Sequence, residues 1–175
     1  GSARTTRRVG TVHLRLPTRP WSVTRVLSAA LLSTGLLAAC SAGVSIPPPD
    51  PAPTGAAAYS CAALHGRLPD EVAGATTTAV TPVNPLTSAW GSPAITLRCG
   101  VAVPAGLTAS SPLTVIDGVS WFAEPTSDGR RFTTVGRVVS VEVSVPSHYS
   151  PETRALDDLS PVIAELVPED RITSP

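Results

Sequence analysis

The most regular hydrophobic pattern in the chain has a period of two. Ile95, Leu97, Cys99, Val101 and Val103 alternate with Arg98 and Gly100, and Val139, Val141, Val143 and Val145 alternate with Ser140, Glu142 and Ser144. Such alternation marks strands with one buried face. Between these runs, the segments 113–116 and 119–123 flank Asp117-Gly118, a pair that supplies the positive φ values of a tight hairpin. Asp128-Gly129 repeats that signal before Arg130 to Val135, and Pro146 ends the last run. Strands separated by short turns predict an antiparallel meander.

A second period, near 3.6, follows. Leu156, Leu159, Ile163 and Leu166 form an apolar stripe that Asp157 and Asp158 avoid and Pro168 stops. Ser150-Pro151-Glu152 is expected to open this helix, with a capping hydroxyl, a proline at the first position and an acid near the positive end of the dipole. A shorter helix is expected from Cys61 to Leu68, capped by Ser60, with Leu64 and Leu68 on one face. Gly74 to Pro93 shows no period and is read as a long surface loop with Trp90 near its end. The fold class is therefore α+β: an antiparallel β-meander sheet packed by an N-terminal short helix and a C-terminal helix, over residues 58–170, with a tail at 171–175.

The first third of the chain reads differently. Val26 to Ala39 is a largely apolar run of 14 residues. A membrane-spanning helix needs about 20, so the run fits the hydrophobic region of a signal peptide better than a span. The alternative is a buried core helix. Arg4, Arg7, Arg8, Arg15, Arg19 and Arg25 precede the run with no acid among them, as in the basic lead of an export signal. Leu37-Ala38-Ala39-Cys40 then resembles the lipobox of bacterial lipoproteins. Small residues let the backbone enter a narrow peptidase site, and the Cys40 thiol would take the lipid. The expectation is a signal peptide over 1–39, a lipidated Cys40, and localisation on the extracytoplasmic face of the cell membrane, with the membrane as partner through Cys40. Residues 40–57 carry Pro47, Pro48, Pro49, Pro51 and Pro53. They are read as an extended tether reaching roughly 50 Å at about 3.1 Å per residue.

Charge sharpens this picture. All 13 arginines replace lysine as the strong base, and six of them leave with the signal segment. The remainder sets seven arginines against 13 acids, a net charge of −6. Nucleic-acid binding needs a basic footprint, so no nucleic-acid partner is expected. Two cysteines remain beside Cys40. In an oxidising compartment Cys61 and Cys99 are expected to form one disulfide tying the short helix to the sheet; two buried free thiols are the alternative. No His or Cys stands at ligand spacing with either one, so no metal site and no cofactor are expected.

Several short runs resemble a single family. They are Trp90-Gly91-Ser92-Pro93-Ala94-Ile95, Leu97-Arg98-Cys99-Gly100-Val101, Asp117-Gly118-Val119 with Trp121, Arg131-Phe132-Thr133-Thr134 with Arg137, Val141-Glu142-Val143 and Val145-Pro146. Together, over about residues 60–168, they resemble the actinobacterial domain-of-unknown-function 3515 family of small secreted or lipidated proteins. The resemblance implies an actinobacterial source and supports pairing of Cys61 with Cys99. It brings no activity, because the family is itself uncharacterised.

Candidate chemistry is sparse. The chain has no G-x-x-x-x-G-K-[ST] or G-x-G-x-x-G phosphate loop, no G-x-S-x-G elbow and no H-E-x-x-H pair. His65 and His148 are the imidazoles left after export, and each reads as a surface residue. A triad of His148 with Ser147 or Ser150 and Asp157 lacks support from spacing. Asp157 and Asp158 diverge by about 100° on a helix, which suits a solvated face better than a carboxylate pair. Trp90 and Trp121 fit the core better than a sugar-stacking platform. Arg98, Arg131 and Arg137 would form a basic patch if their strands are neighbours; the alternative for Arg98 is an ion pair with Glu142 on the same face. The expected function is a non-enzymatic binding or interaction module at the cell envelope, with an envelope protein or glycan as partner. The alternatives are a small envelope enzyme or accessory acting on cell-wall polymers and a small-ligand-binding lipoprotein. Replacing Cys40 by Ala is expected to abolish membrane attachment, which fractionation of expressing cells measures; unchanged attachment would contradict the lipobox reading.

Overall fold

The structure is a computed structural model that describes residues 43–170, together with Gly1. The expected signal segment, Cys40 and the tail 171–175 lie outside the described residues. The elements run in chain order as β1 (Val44–Ser45), α1 (Gly55–His65), β2 (Glu71–Val72), β3 (Ala75–Thr78), β4 (Val80–Thr81) and β5 (Thr87–Trp90). Then come β6 (Ile95–Val101), β7 (Leu113–Ile116), β8 (Val119–Pro125), β9 (Gly129–Val135), β10 (Ser140–Pro146) and α2 (Arg154–Leu166). An eight-stranded antiparallel sheet has the order β2-β3-β5-β6-β10-β9-β8-β7. The fold is α+β. The expected meander is the half from β7 to β10, and the pairing of β10 with β6 joins it to a second half.

Alternation decides the two faces. On β10, Val141, Val143 and Val145 are buried while Ser140, Glu142 and Ser144 are not, and β6 repeats this with Ile95, Leu97 and Cys99 inward. Leu156, Leu159 and Ile163 of α2 and Leu64 of α1 complete the core against that inner face. Trp90 and Trp121 are fully buried in it. Each satisfies its indole N–H: Trp90 Nε1 donates to the Pro69 carbonyl at 2.9 Å, and Trp121 Nε1 to Ser160 Oγ at 3.0 Å. The Cys61–Cys99 disulfide ties α1 to β6. Asp117 and Gly118 both have positive φ, as the tight hairpin requires.

Several expectations are corrected. Residues 74–93 are not a loop: β3 and β5 pair through Thr77 with Trp90 and Thr78 with Ala89. These strands are rich in Thr and Ala, so backbone pairing, not apolar alternation, organises them. Helix α1 starts at Gly55, because the alanine-rich run before Cys61 favours helix; Ser60 is buried inside it and caps nothing. Helix α2 starts at Arg154, since Ser147–Tyr149 forms a separate 3-10 turn anchored by the Tyr149 hydroxyl on the Pro93 carbonyl. Val103 is exposed, and the strand ends at Val101, after Gly100 at a φ of 97°. Val167, not Leu166, closes the buried stripe of α2.

The largest correction concerns the proline-rich segment. From Gly43 onward it lies on the domain. Val44 and Ile46 donate backbone N–H groups to Ala79 and Thr81, at 2.7 and 3.0 Å, and β1 runs parallel to β4. Ile46 is buried. The Pro47 carbonyl accepts from Arg98 Nε at 3.2 Å, and Pro53 sits where a Cβ on Gly100 would be. The prolines make a strap across the outer face of β6, because residues without free N–H groups lie on a sheet without competing for its ladder.

The bond between Trp121 and Ser160 is the core's one buried side-chain-to-side-chain hydrogen bond among the described residues. Ser160→Ala leaves the indole N–H without an acceptor and is expected to destabilise by about 1–3 kcal/mol. Urea denaturation checks this, and Trp121→Phe made with it should recover part of the loss.

Candidate functional site

The outer face of the central strands holds the densest set of charged side chains on the sheet. Register places Glu142 of β10 opposite Arg98 of β6 and Thr133 of β9, and places Ser144 opposite Arg131. Opposed residues share a face, so one carboxylate stands between two guanidinium groups. Glu142 Oε1 meets Arg98 Nη1 at 3.2 Å, and Glu142 Oε2 meets Arg131 Nε at 3.5 Å. Exposure grades across the trio: the side chain of Glu142 is 14% exposed, Arg98 29% and Arg131 44%. Arg98 is held from three directions, by its strand, by Glu142 and by the Pro47 carbonyl. Arg131 is held by one nitrogen only.

Grooves flank the trio. One of about 370 Å³ is lined by Pro49, Asp50, Pro51, Arg98, Gly100 and Glu142. Another, of about 290 Å³, is lined by Thr96, Ser127, Asp128, Arg131 and Ser144. Register also places Glu124 of β8 opposite Arg131, so the two guanidinium groups face two carboxylates, with Asp50 and Asp128 at the groove rims. The surface offers planar guanidinium donors beside carboxylate acceptors, a mixed polar face.

The three-arginine patch does not form. Arg137 lies elsewhere, with a side chain only 6% exposed. It donates to the Val167 carbonyl at 2.9 Å and the Gly118 carbonyl at 2.6 Å, and meets Glu169 at 3.9 Å. It follows Gly136, outside the strands, and binds the end of α2 to the β7–β8 turn. Trp90 and Trp121 are corrected as candidate binding residues, since rings wholly inside the core offer no stacking surface.

The imidazoles are also separate. His148 lies edge-on to Tyr149, with ring centroids 4.9 Å apart. His65 Nδ1 meets Ser88 Oγ at 3.2 Å beside a cleft of about 580 Å³ lined by Thr77, Ala79, Val80, Val83 and Pro85 among others. Asp157 and Asp158 are both exposed, and Asp158 accepts the Ala73 N–H at 2.7 Å, fixing the β2–β3 turn. Sequence reasoning missed that contact, and it missed the strap; the signal for the strap was Val44 and Ile46, apolar residues just before the prolines.

Compared with known families, residues 22–172 match the family described as Protein of unknown function (DUF3515). The chain belongs to the DUF3515 family. No curated protein and no solved structure matches it. The DUF3515 description carries no activity, so the chemistry of this member is argued from its own geometry.

The geometry separates a surface trio from a structural arginine. Arg98→Ala and Arg131→Ala are each expected to couple to Glu142→Ala by about 0.5–1 kcal/mol. Arg137→Ala should cost more, about 2 kcal/mol, because two carbonyls lose a charged donor. Double-mutant cycles in urea read both.

Proposed function

We propose that this DUF3515 protein is an exported lipoprotein, anchored to the extracytoplasmic face of the membrane through Cys40, whose domain is a non-enzymatic binding module of the cell envelope. The outer sheet face around Arg98, Glu142 and Arg131 is its contact for a polar group on an envelope protein or glycan. The observation that carries this reading is the shared carboxylate. Arg98 is pre-positioned by Glu142 and the strap, while Arg131 is bound to Glu142 through Nε and is the more exposed of the two. Preorganised donors lower the ordering cost of binding. The disulfide supports the address, because such bonds persist in oxidising compartments. No helix among the described residues is long and apolar enough to cross a membrane, and Cys40 supplies the attachment in this reading.

A second reading, a small-ligand-binding lipoprotein, is favoured by the cleft of about 580 Å³ next to β4.

The test is photo-crosslinking in intact cells from a probe at position 131, compared with a probe at Val115 on the edge strand β7. The proposal expects an adduct specific to position 131 that is lost in Arg98→Ala with folding intact. Identical adducts from both positions, or an adduct indifferent to Arg98→Ala, would contradict it.

A further inference from the structure

The proline-rich segment is docked, and that changes where the domain stands. An extended tether was expected to hold it roughly 50 Å from the anchor. The chain instead reaches the domain at Gly43, three residues after Cys40. A Cβ on Gly43 would stand 2.8 Å from the Ala79 carbonyl and 3.0 Å from Thr81 Oγ1, so the backbone is seated closely there. Three residues span at most about 11 Å. A lipid on Cys40 therefore brings the neighbourhood of Ala79 to the bilayer surface.

That neighbourhood is poor in charge. The 26 residues from Val72 to Leu97 contain no acid, arginine or histidine, the longest such run after residue 49. Residues 41–49 are also free of charge. In a polypeptide of net charge −6 after Cys40, the segments nearest the anchor are neutral. Acids held within a Debye length of anionic headgroups, about 8–10 Å, would be repelled; neutral segments are not. The same region is apolar where it is most exposed. Val83, in the loop between β4 and β5, is 94% exposed and is flanked by Pro82 and Pro85. Ala79, Val80, Val83 and Pro85 line the cleft of about 580 Å³, with His65 as its one ionisable lining residue.

We propose that this neutral face is a membrane-contact surface: the cleft beside β4 lies against the bilayer, and Val83 dips into the boundary between headgroups and acyl chains. The occupant is the lipid surface itself. The inference rests on lipidation of Cys40, proposed above, and adds the orientation of the domain. One valine contributes little affinity alone, so the contact depends on the anchor holding the face at high local concentration. It also turns β7, at the far edge of the sheet from β2 and β3, into a position for comparison.

The experiment uses mature, lipidated protein reconstituted in phosphatidylcholine/phosphatidylglycerol vesicles that contain a doxyl-labelled lipid. Val83→Trp is compared with Val115→Trp, both exposed positions, with Trp90 and Trp121 as a shared buried background. Quenching at position 83 is expected to exceed that at 115 by about twofold or more, as a residue at the acyl boundary should. Flotation with the vesicles reads the anchor separately. Variants that float but quench equally would overturn the membrane-contact surface and leave the lipoprotein reading standing. Variants that do not float, with no lipid mass on Cys40, would overturn both.

Discussion

Strand β6 is gripped from both sides. On the inner face, Cys99 is bonded to Cys61 of α1. On the outer face, Arg98 holds the Pro47 carbonyl and Gly100 makes room for Pro53. Three consecutive residues thus fix a helix, a strap and the sheet to one another, and the chain passes from the outer face to the inner one between Pro53 and α1. The disulfide closes a sequence separation of 38 residues, which on a chain-entropy account stabilises by about 4 kcal/mol. That loop contains the C-terminal end of α1 and the Thr- and Ala-rich strands, the part of the domain with the least hydrophobic alternation and the greatest need of a covalent constraint.

The same grip organises the surface. Because Arg98 is tied to the strap as well as to Glu142, the outer face presents one fixed guanidinium beside the more open one of Arg131. The strap also shortens the distance from Cys40 to the domain. The proposed binding face and the proposed anchoring geometry, which look independent along the chain, are joined at Pro47. In the proposed reading, a change that released the strap would alter the donors offered to a partner and the height of the domain above the membrane together.

Strands β6 and β10 were legible because each has one dry and one wet face, and β7 and β8 because the backbone requirement of the Asp117-Gly118 turn between them is specific. Strands β3 and β5 were hidden, since threonine and alanine give no period and their order comes from pairing with each other and, for β5, with β6. Helix boundaries shifted where alanines extended α1 backward and where the Tyr149 anchor delayed α2. In the candidate site, the pairing of Arg98 with Glu142 followed from strand phase, whereas the exclusion of Arg137 did not: it falls after Gly136, where the alternation has ended. The proline run suggested extension correctly but said nothing of what it would lie on. Val44 and Ile46, apolar residues just before the prolines, hinted that the segment was docked.

The docked strap is the claim on which the arrangement turns, and amide hydrogen exchange tests it directly. The amides of Val44 and Ile46 donate to Ala79 and Thr81. Protection of both, comparable to that of amides in the short strands they join, is the predicted result. Exchange at the rate of an unstructured peptide would show the segment to be a free tether, and would contradict both the fixed arginine and the short reach to the membrane.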